Sequence, residues 1–233
     1  MHFLMIVNAQ EKVIINDPNV EKRDVKRFYG VKVSGSVSLF ISQDDETKLL
    51  VSARDEEDRA RIMTEVRNGI LHIYYEPERG NVHFGIGKNR QLRAYVSAPD
   101  IKLLESNGSG SLIINGSLKA DKLELSHSGS GMVSGGIDVN ELDFDQSGSG
   151  SAHLKGLAKI ANLSTSGSGN IRSYELSTDI CEVSASGSGS VEIAVNKELS
   201  ASTSGSGSVR FKGEGLIRDI STSGSGKVKR IQQ

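Results

Sequence analysis

Hydrophobic and polar residues alternate with a period of two through the second half of the chain. In residues 163–171, one parity carries Leu163, Thr165, Gly167, Gly169 and Ile171, and the other carries Ser164, Ser166, Ser168 and Asn170. The same alternation recurs in residues 183–193 and 199–211. A period of two is typical of strands with one buried and one solvated face. We therefore predict short β-strands whose aliphatic residues face a core and whose serines face solvent.

The tripeptide Gly-Ser-Gly interrupts these strands at a nearly constant interval. Residues 1–105 contain 6 Gly and 6 Ser, whereas residues 106–233 contain 20 Gly and 28 Ser. The tripeptide starts at Gly108, Gly129, Gly148, Gly167, Gly187, Gly205 and Gly224, which are 21, 19, 19, 20, 18 and 19 residues apart. A flexible Gly/Ser linker has no such period. A fixed repeat of this length indicates a solenoid with one repeat in each coil.

A coil of about 19 residues is too short for two helices, so its strands must pair with the coils before and after it, about 4.8 Å away. The predicted fold class is all-β, a single-stranded right-handed parallel β-helix. By parity, the paired glycines are expected to point inward. There the missing Cβ lets the backbone approach closely or turn a corner.

The N-terminal part is predicted to be a less regular β region. Residues 31–41 alternate like a coil, and residues 55–67 place acids first and Ile62, Met63 and Val66 at helical spacing, which predicts one short helix. Strands are expected at 70–75 and 91–98. The predicted divisions are a signal-peptide remnant at 1–9, an arm at 10–27, the irregular part at 28–105 and the repeat at 106–233. The irregular part is expected to cap or extend the column, because an open β-helix end recruits other chains.

One inward position, two residues before each tripeptide, is mostly polar. It is occupied by Ser106, His127, Gln146, Thr165, Ala185, Thr203 and Thr222. Buried polar groups are retained when they form hydrogen bonds, so we predict an internal polar ladder. His127 is interpreted as a hydrogen-bonded structural histidine, because its neighbours in the ladder are not metal ligands. Cys181 also has inward parity and is expected to be a small buried residue.

Composition excludes several classes of function. The 28 basic and 29 acidic residues give a net charge of -1, so neither nucleic acid nor an anionic membrane is an expected partner. No apolar run is long enough to span a bilayer. The single Cys excludes a disulfide framework. No HExxH, CxxC, phosphate-loop or nucleophile-elbow motif is present, and no cofactor is expected.

The strongest candidate for chemistry is an acidic patch. Glu124 and Asp143 both lie five residues before a tripeptide, and Asp145 follows two residues later. The three carboxylates are therefore predicted to share one outer face near Lys122 and Asn162. Such a patch can attract a cation, and paired carboxylates are also what a glycosidase needs. The alternative is an ordinary solvated acidic face.

The second candidate is a strip of outward serines that could bind glycans or protein edges. It comprises Ser126, Ser128, Ser130, Ser147, Ser149, Ser164, Ser166 and Ser168. The alternative is that Ser is merely the small polar residue tolerated at a tight corner. The absence of Trp removes the stacking platform that sugar-binding sites commonly use.

The two ends of the chain suggest export and self-association. The apolar residues 3–7 are interpreted as the end of a secretory signal that starts upstream, with an ordinary terminus as the alternative. At the other end, Lys227, Lys229 and Arg230 are candidates for edge residues that prevent stacking. The alternative is a homodimer formed through this end of the β-helix.

Several stretches resemble the bacterial head GIN domain family of auto-transporter adhesins. These are the tandem Ser-Gly-Ser-Gly coils, the opening FYGVKVSGSV at residues 28–37 and the middle TEVRNGILHI at residues 64–73. The resemblance extends from about Arg27 to Val228. It implies an exported β-helical protein and supplies no catalytic residues. The chain departs from the family label in having no lipid-attachment Cys near its start.

These observations predict a non-enzymatic exported protein that acts as an adhesin or as a binding module of the cell envelope. The expected location is the periplasm, the outer envelope or the extracellular space, and the expected partners are glycans or surface proteins. The alternative is a carbohydrate-active β-helix enzyme of the pectinase or polysaccharide-lyase type, because such enzymes share the fold.

Overall fold

The computed structural model describes residues 17–77 and 90–232. The strands are β1 (Val20–Arg23), β2 (Gly30–Gly35), β3 (Ser38–Gln43), β4 (Lys48–Ser52), β5 (Ile62–Arg67), β6 (Ile70–Tyr75), β7 (Arg93–Ala98), β8 (Leu103–Gly108), β9 (Leu112–Gly129), β10 (Met132–Gly148), β11 (Ser151–Gly167), β12 (Asn170–Gly187), β13 (Ser190–Gly205), β14 (Ser208–Lys212), β15 (Leu216–Gly224) and β16 (Lys227–Arg230), and one helix, α1, spans Glu56–Ala60. The predicted signal remnant at 1–9 lies outside the described residues, as do residues 10–16 of the arm and residues 78–89.

The repeat region is a parallel β-solenoid, as predicted. Each of the strands β9 to β13 bends around most of one coil and pairs in parallel with the next. The first glycine of every tripeptide pairs with its counterpart in the next coil, from Gly108 with Gly129 through to Gly205 with Gly224. The repeat spacing read from the sequence is therefore the register of the sheet. The 21-residue spacing arises from a local irregularity, where the partners of Gly135 and Gly136 are Ile114 and Ser117.

Aliphatic and aromatic residues of the inward parity fill the column. Phe144 and Phe211 are fully buried, and Leu, Ile and Val from every coil up to β14 surround them. Burying apolar surface contributes roughly 25 cal/mol per Å², so this continuous core supplies the main stabilisation of the coils. The β-solenoid needs no second layer of helices or strands packed on it, because each coil covers the apolar interior of the next.

The order of coils at the N-terminal end differs from their order in the chain. The coil formed by β2 and β3 lies between two later segments. On one side β6 pairs with β2 and β7 with β3, and on the other side β8 pairs with β2 and β9 with β3. Antiparallel strands then cover the outer side, with β5 on β6, β4 on β7 and β1 on β4.

The helix predicted at 55–67 is much shorter in the structure. Asp55 caps it by accepting a hydrogen bond from the Asp58 backbone N–H at 2.9 Å, and it ends at Ala60. The residues from Ile62 onward form β5, because Asn68 (φ 52°) and Gly69 (φ 75°) make a tight turn that pairs β5 with β6. Asn68-Gly69, which also fits the stop signal of a helix, is therefore a hairpin turn. Cross-strand pairing overrides the helical spacing of the side chains.

The prediction that both glycines of each pair face the core is wrong for the first glycine. The first glycines have φ between 92° and 140°, a region that favours glycine, and are half-buried or fully exposed. They form the corner of the coil. A Cβ on Gly167 would lie 2.6 Å from the carbonyl oxygen of Gly148 in the previous coil. The second glycines, such as Gly150 and Gly169, are the buried ones.

The last coil leaves its interior positions uncovered. Every residue of β15 is exposed, including Ile217, Ile220 and Thr222, which pair with the buried Leu199, Ala201 and Thr203. The prediction that Thr222 belongs to the buried ladder is therefore wrong, because no described residue lies above it.

Two glycines separate the effect of backbone conformation from that of coil stacking. Gly116 (φ 79°) and Gly167 (φ 97°) are both exposed, but a Cβ on Gly116 would meet nothing within 4 Å. We expect Gly116→Ala to cost about 1–2 kcal/mol in the free energy of unfolding, because an L-residue is strained there. Gly167→Ala should cost about 1–3 kcal/mol more, since the backbones must move apart. Urea denaturation measures both, and equal costs would contradict the stacking role of the corner.

Candidate binding face

The in-register coils align outward side chains into straight columns beside the corner. One column precedes each tripeptide directly, and Ser128, Ser147, Ser166, Ser186, Ser204 and Ser223 follow one another in it. A second column, two residues earlier, contains Ser126, Asp145, Ser164, Ser184, Ser202 and Ser221. A third contains the serines between the glycines, Ser130, Ser149, Ser168, Ser188, Ser206 and Ser225. We call these three columns the serine face.

All eight serines predicted as a binding strip lie on the serine face. Ser128, Ser130, Ser149, Ser166 and Ser168 are exposed, and Ser126, Ser147 and Ser164 are half-buried. Neighbouring hydroxyls are spaced by about 4.8 Å between coils and about 6.7 Å along a strand. The structure therefore presents a two-dimensional array of hydroxyl groups on a rigid wall.

The corner uses the backbone of its serines and leaves their hydroxyls available. The N–H of Ser149 donates to the carbonyl oxygen of Gly129 at 3.0 Å, and that of Ser168 donates to the carbonyl oxygen of Gly148 at 2.9 Å. The following glycine N–H donates to the same carbonyl. Among the described residues of the serine face, the one hydroxyl that donates to protein is Ser186 Oγ, at 3.3 Å from the carbonyl oxygen of Thr165.

The predicted acidic patch borders the serine face in an open groove. Glu124 and Asp143 are register partners, and Asp145 lies beside them on the neighbouring column. The groove has a volume of about 570 Å³ and is lined by Leu103, Leu104, Glu105, Glu124, Leu125, Ser126, Asp143, Phe144, Asp145, Asn162, Leu163, Ser164, Glu182 and Ser184. Glu182 was not predicted as part of the patch, although its position five residues before Gly187 places it in the column of Glu124.

Asp143 is held by its neighbours in an ionised state. The Lys122 ammonium lies 2.5 Å from one carboxylate oxygen, and the Asn162 amide donates to the other at 2.7 Å. These two hydrogen bonds, that of Lys122 first, lower the pKa of Asp143 below its usual value. Lys122 also contacts Glu141 at 2.8 Å, and the two carboxylates raise its pKa. The general acid of a glycosidase needs a raised pKa, so the lowered pKa of Asp143 does not suit that role.

The patch does not assemble a metal site. Within residues 17–77 and 90–232, no three His, Cys, Asp or Glu side chains come close enough to hold an ion. Glu124, Asp145 and Glu182 are exposed and make no ion pair with any residue that the structure describes. The groove is therefore an acidic recess in which these three carboxylates are solvated and Asp143 and Glu105 are each paired with a lysine.

The inward ladder is buried from Ser106 to Thr203. His127 is fully buried, and its Nε2 lies 3.0 Å from the carbonyl oxygen of Gly131. Gln146 donates from Nε2 to the carbonyl oxygen of Gly150 at 2.5 Å. These side chains bond to the backbone of their own coil and not to one another. Both point away from the serine face, so they take no part in surface binding.

Cys181 is buried in the core, as its parity predicted. Burial raises the pKa of its thiol to about 12. A reactive cysteine needs a lowered pKa and access to solvent, so Cys181 is not a nucleophile.

In the described part of the chain, no helix has the length and hydropathy required to cross a bilayer.

Solved structures with the same fold come from Bacteroides and Parabacteroides. A "putative adhesin" from Bacteroides fragilis is 23% identical with a TM-score of 0.79, covering 91% of this chain and 96% of that one. A "putative lipid binding protein" from Parabacteroides distasonis is 24% identical with a TM-score of 0.70, covering 93% and 98%. A "putative adhesin" from Parabacteroides merdae is 19% identical with a TM-score of 0.67, covering 92% and 96%. At these identities the likeness concerns the fold. No curated protein matches the chain.

The family match agrees with the resemblance noted in the sequence. A family model described as "Putative auto-transporter adhesin, head GIN domain" matches residues 27–215. The match spans the N-terminal coils and nearly all Gly-Ser-Gly corners. The chain therefore belongs to the head GIN domain family of adhesin-like proteins.

Proposed function

We propose that this protein is a non-catalytic binding module of the cell envelope that holds glycan chains on its serine face and the adjoining groove. The observation that carries the proposal is the hydroxyl array. Its serine side chains are aligned by the register of the coils, and the corner uses only the backbone N–H groups of the serines that lie between the two glycines.

The array suits a long polar ligand. Each serine hydroxyl can donate and accept a hydrogen bond, and a rigid wall loses no backbone freedom on binding. Single contacts of this kind are weak, so affinity must come from many repeated contacts. A polysaccharide supplies hydroxyl groups at regular intervals along its length. Asp145 and Glu182 add acceptors at the edge of the groove.

The proposal includes export to the periplasm, the outer envelope or the exterior. Membership of an adhesin-like family supports it. The single buried Cys is compatible with an oxidising compartment, since it exposes no thiol.

A bulky side chain within the array should weaken glycan binding. Ser166→Arg places a bulky side chain in the centre of the serine face and should weaken binding to a responsive polysaccharide by about tenfold or more, or about 1.4 kcal/mol. His153→Arg is the matched control, because His153 is exposed on β11 outside this face. A glycan array followed by calorimetry measures both. Equal binding by the two variants would refute the serine face as the site.

The same polysaccharides should not be cleaved. Incubation with uronate-containing and neutral glycans is expected to release no new reducing ends or unsaturated products. Asp143→Asn serves as the discriminating variant, because Lys122 and Asn162 hold the Asp143 carboxylate in one position in the groove. Turnover by the wild type that disappears in Asp143→Asn would establish the enzyme alternative.

We also propose that two copies associate through the last coil. The described residues leave the outer edges of β15 and β16 without a partner strand. Leu216, Ile217 and Ile220 are exposed by 73%, 49% and 40%. Unpaired strand edges with exposed apolar side chains are templates for further pairing.

The sequence of β15 is complementary to itself when reversed. An antiparallel pair that places Arg218 opposite Asp219 of the second copy also places Ile217 opposite Ile220. A twofold interface repeats each contact twice. The apolar pair then covers the open end of the core. The charged pair lies on the outer surface beside Glu198, whose carboxylate accepts a hydrogen bond from Arg218 of the same copy at 2.7 Å.

Charge reversal tests this register. Arg218→Asp and Asp219→Arg should each be monomeric, because both create like-charge pairs across the interface. An equimolar mixture of the two should form a heterodimer of twice 25.0 kDa, since opposite charges then face each other. Sedimentation velocity measures the mass. A wild type that is monomeric at every concentration, or two variants that do not combine, would refute the interface.

A further inference from the structure

The internal ladder contains hydroxyl groups whose hydrogen bonds the protein does not satisfy. Thr165 and Thr203 are both 2% exposed, and neither Oγ1 has a partner among the described atoms. Leaving a buried hydroxyl without a partner costs about 1–3 kcal/mol, so nearly all such groups in proteins have one.

The neighbouring coil shows what occupies the equivalent space. Gln146 and Thr165 are register partners, and Thr203 follows in the same column after Ala185. At Gln146 the side chain spans the corner, and its Nε2 reaches the carbonyl oxygen of Gly150. That oxygen also accepts from the Asn170 backbone N–H at 3.1 Å. A second-glycine carbonyl therefore has room for two donors.

Threonine is too short to make the same bond. Its hydroxyl ends two bonds nearer the backbone than the glutamine amide, and the Gln-to-Thr difference leaves space for about one water molecule, roughly 30 Å³. Thr165 Oγ1 nevertheless lies in the corner, 3.2 Å from the position that a Cβ on Gly189 would take. Thr203 Oγ1 lies 3.1 Å from the corresponding position on Gly226.

We propose that one water molecule binds in the corner at Thr165 and another at Thr203. Each accepts from or donates to the threonine hydroxyl and donates to the carbonyl oxygen of the second glycine of the same coil, Gly169 or Gly207. At Thr165 the water takes the place that the Gln146 amide nitrogen holds one coil earlier. The ladder is thus a mixed column in which long side chains bond the corner directly and short ones bond it through water.

Thr-to-Val substitutions distinguish a water-bridged hydroxyl from an unsatisfied one, because their effects on the stability of the protein differ. Valine keeps the shape and removes the hydroxyl. If water bridges Thr165, Thr165→Val should raise the unfolding equilibrium constant about fivefold, as the loss of one net hydrogen bond does. If the hydroxyl has no partner, the same change should be neutral or stabilising.

Thr178→Val is the matched control. Thr178 is equally buried, and its Oγ1 donates directly to the carbonyl oxygen of Ala194 at 2.8 Å. This variant should be destabilised in either case. Thr165→Gln should displace the water, bond Gly169 directly and preserve stability.

A second measurement counts the water molecules. Oxygen-17 magnetic relaxation dispersion of the wild type should lose one long-lived water in Thr165→Val and one in Thr203→Val, and none in Thr178→Val. A stabilised Thr165→Val with an unchanged water count would overturn the proposal. A destabilised Thr165→Val that loses one water would support it, and Thr165→Ser, which keeps the hydroxyl, should retain that water.

Discussion

Close approach of successive backbones at the Gly-Ser-Gly corner is the constraint on which the rest of the molecule depends. From Gly108 to Gly205, the carbonyl oxygen of each first glycine accepts hydrogen bonds from two N–H groups of the next coil, and the first glycine of that coil has no room for a side chain. Such a corner fixes both the direction of the next strand and its register. Once the register is fixed, every side chain has the same neighbours above and below it, and columns of like residues follow.

The columns have different consequences on the two faces of the wall. Inside, aliphatic columns form a continuous core, and one polar column lines the corner. Outside, serine columns before and after the corner form an array of hydroxyl groups beside an acidic groove. The carboxylates of this groove are either held by a lysine, as Asp143 is by Lys122 and Glu105 by Lys32, or solvated. This arrangement is suited to holding an extended polar ligand by many equivalent contacts, and the lowered pKa of Asp143 does not suit a general acid of glycoside hydrolysis.

Much of this architecture could be predicted because the repeat spacing is the strand register. The positions of the serines, the acidic patch and the buried ladder all follow from counting back from each tripeptide. The first glycines were misplaced because parity alone ignores their positive φ, which turns the chain at that point. The segment after Ala60 was misassigned because Asn68-Gly69 fits a helix stop and a hairpin turn alike, and only the pairing of β5 with β6 decides between them. The placement of the β2–β3 coil between later segments rests on contacts distant in sequence, for which no local pattern exists.

The most direct test of the stacked register is chemical cross-linking between two serine positions. Ser147 and Ser166 are register partners, with Cα atoms about 4.8 Å apart, whereas Ser147 and Ser164 lie on a diagonal of about 8 Å. A disulfide requires Cα atoms within about 7 Å. Under mild oxidation the variant Ser147→Cys/Ser166→Cys should form an intramolecular disulfide, while Ser147→Cys/Ser164→Cys should remain reduced. The opposite result, or failure of the first pair in a folded protein, would contradict the in-register column and the outward position of its serines.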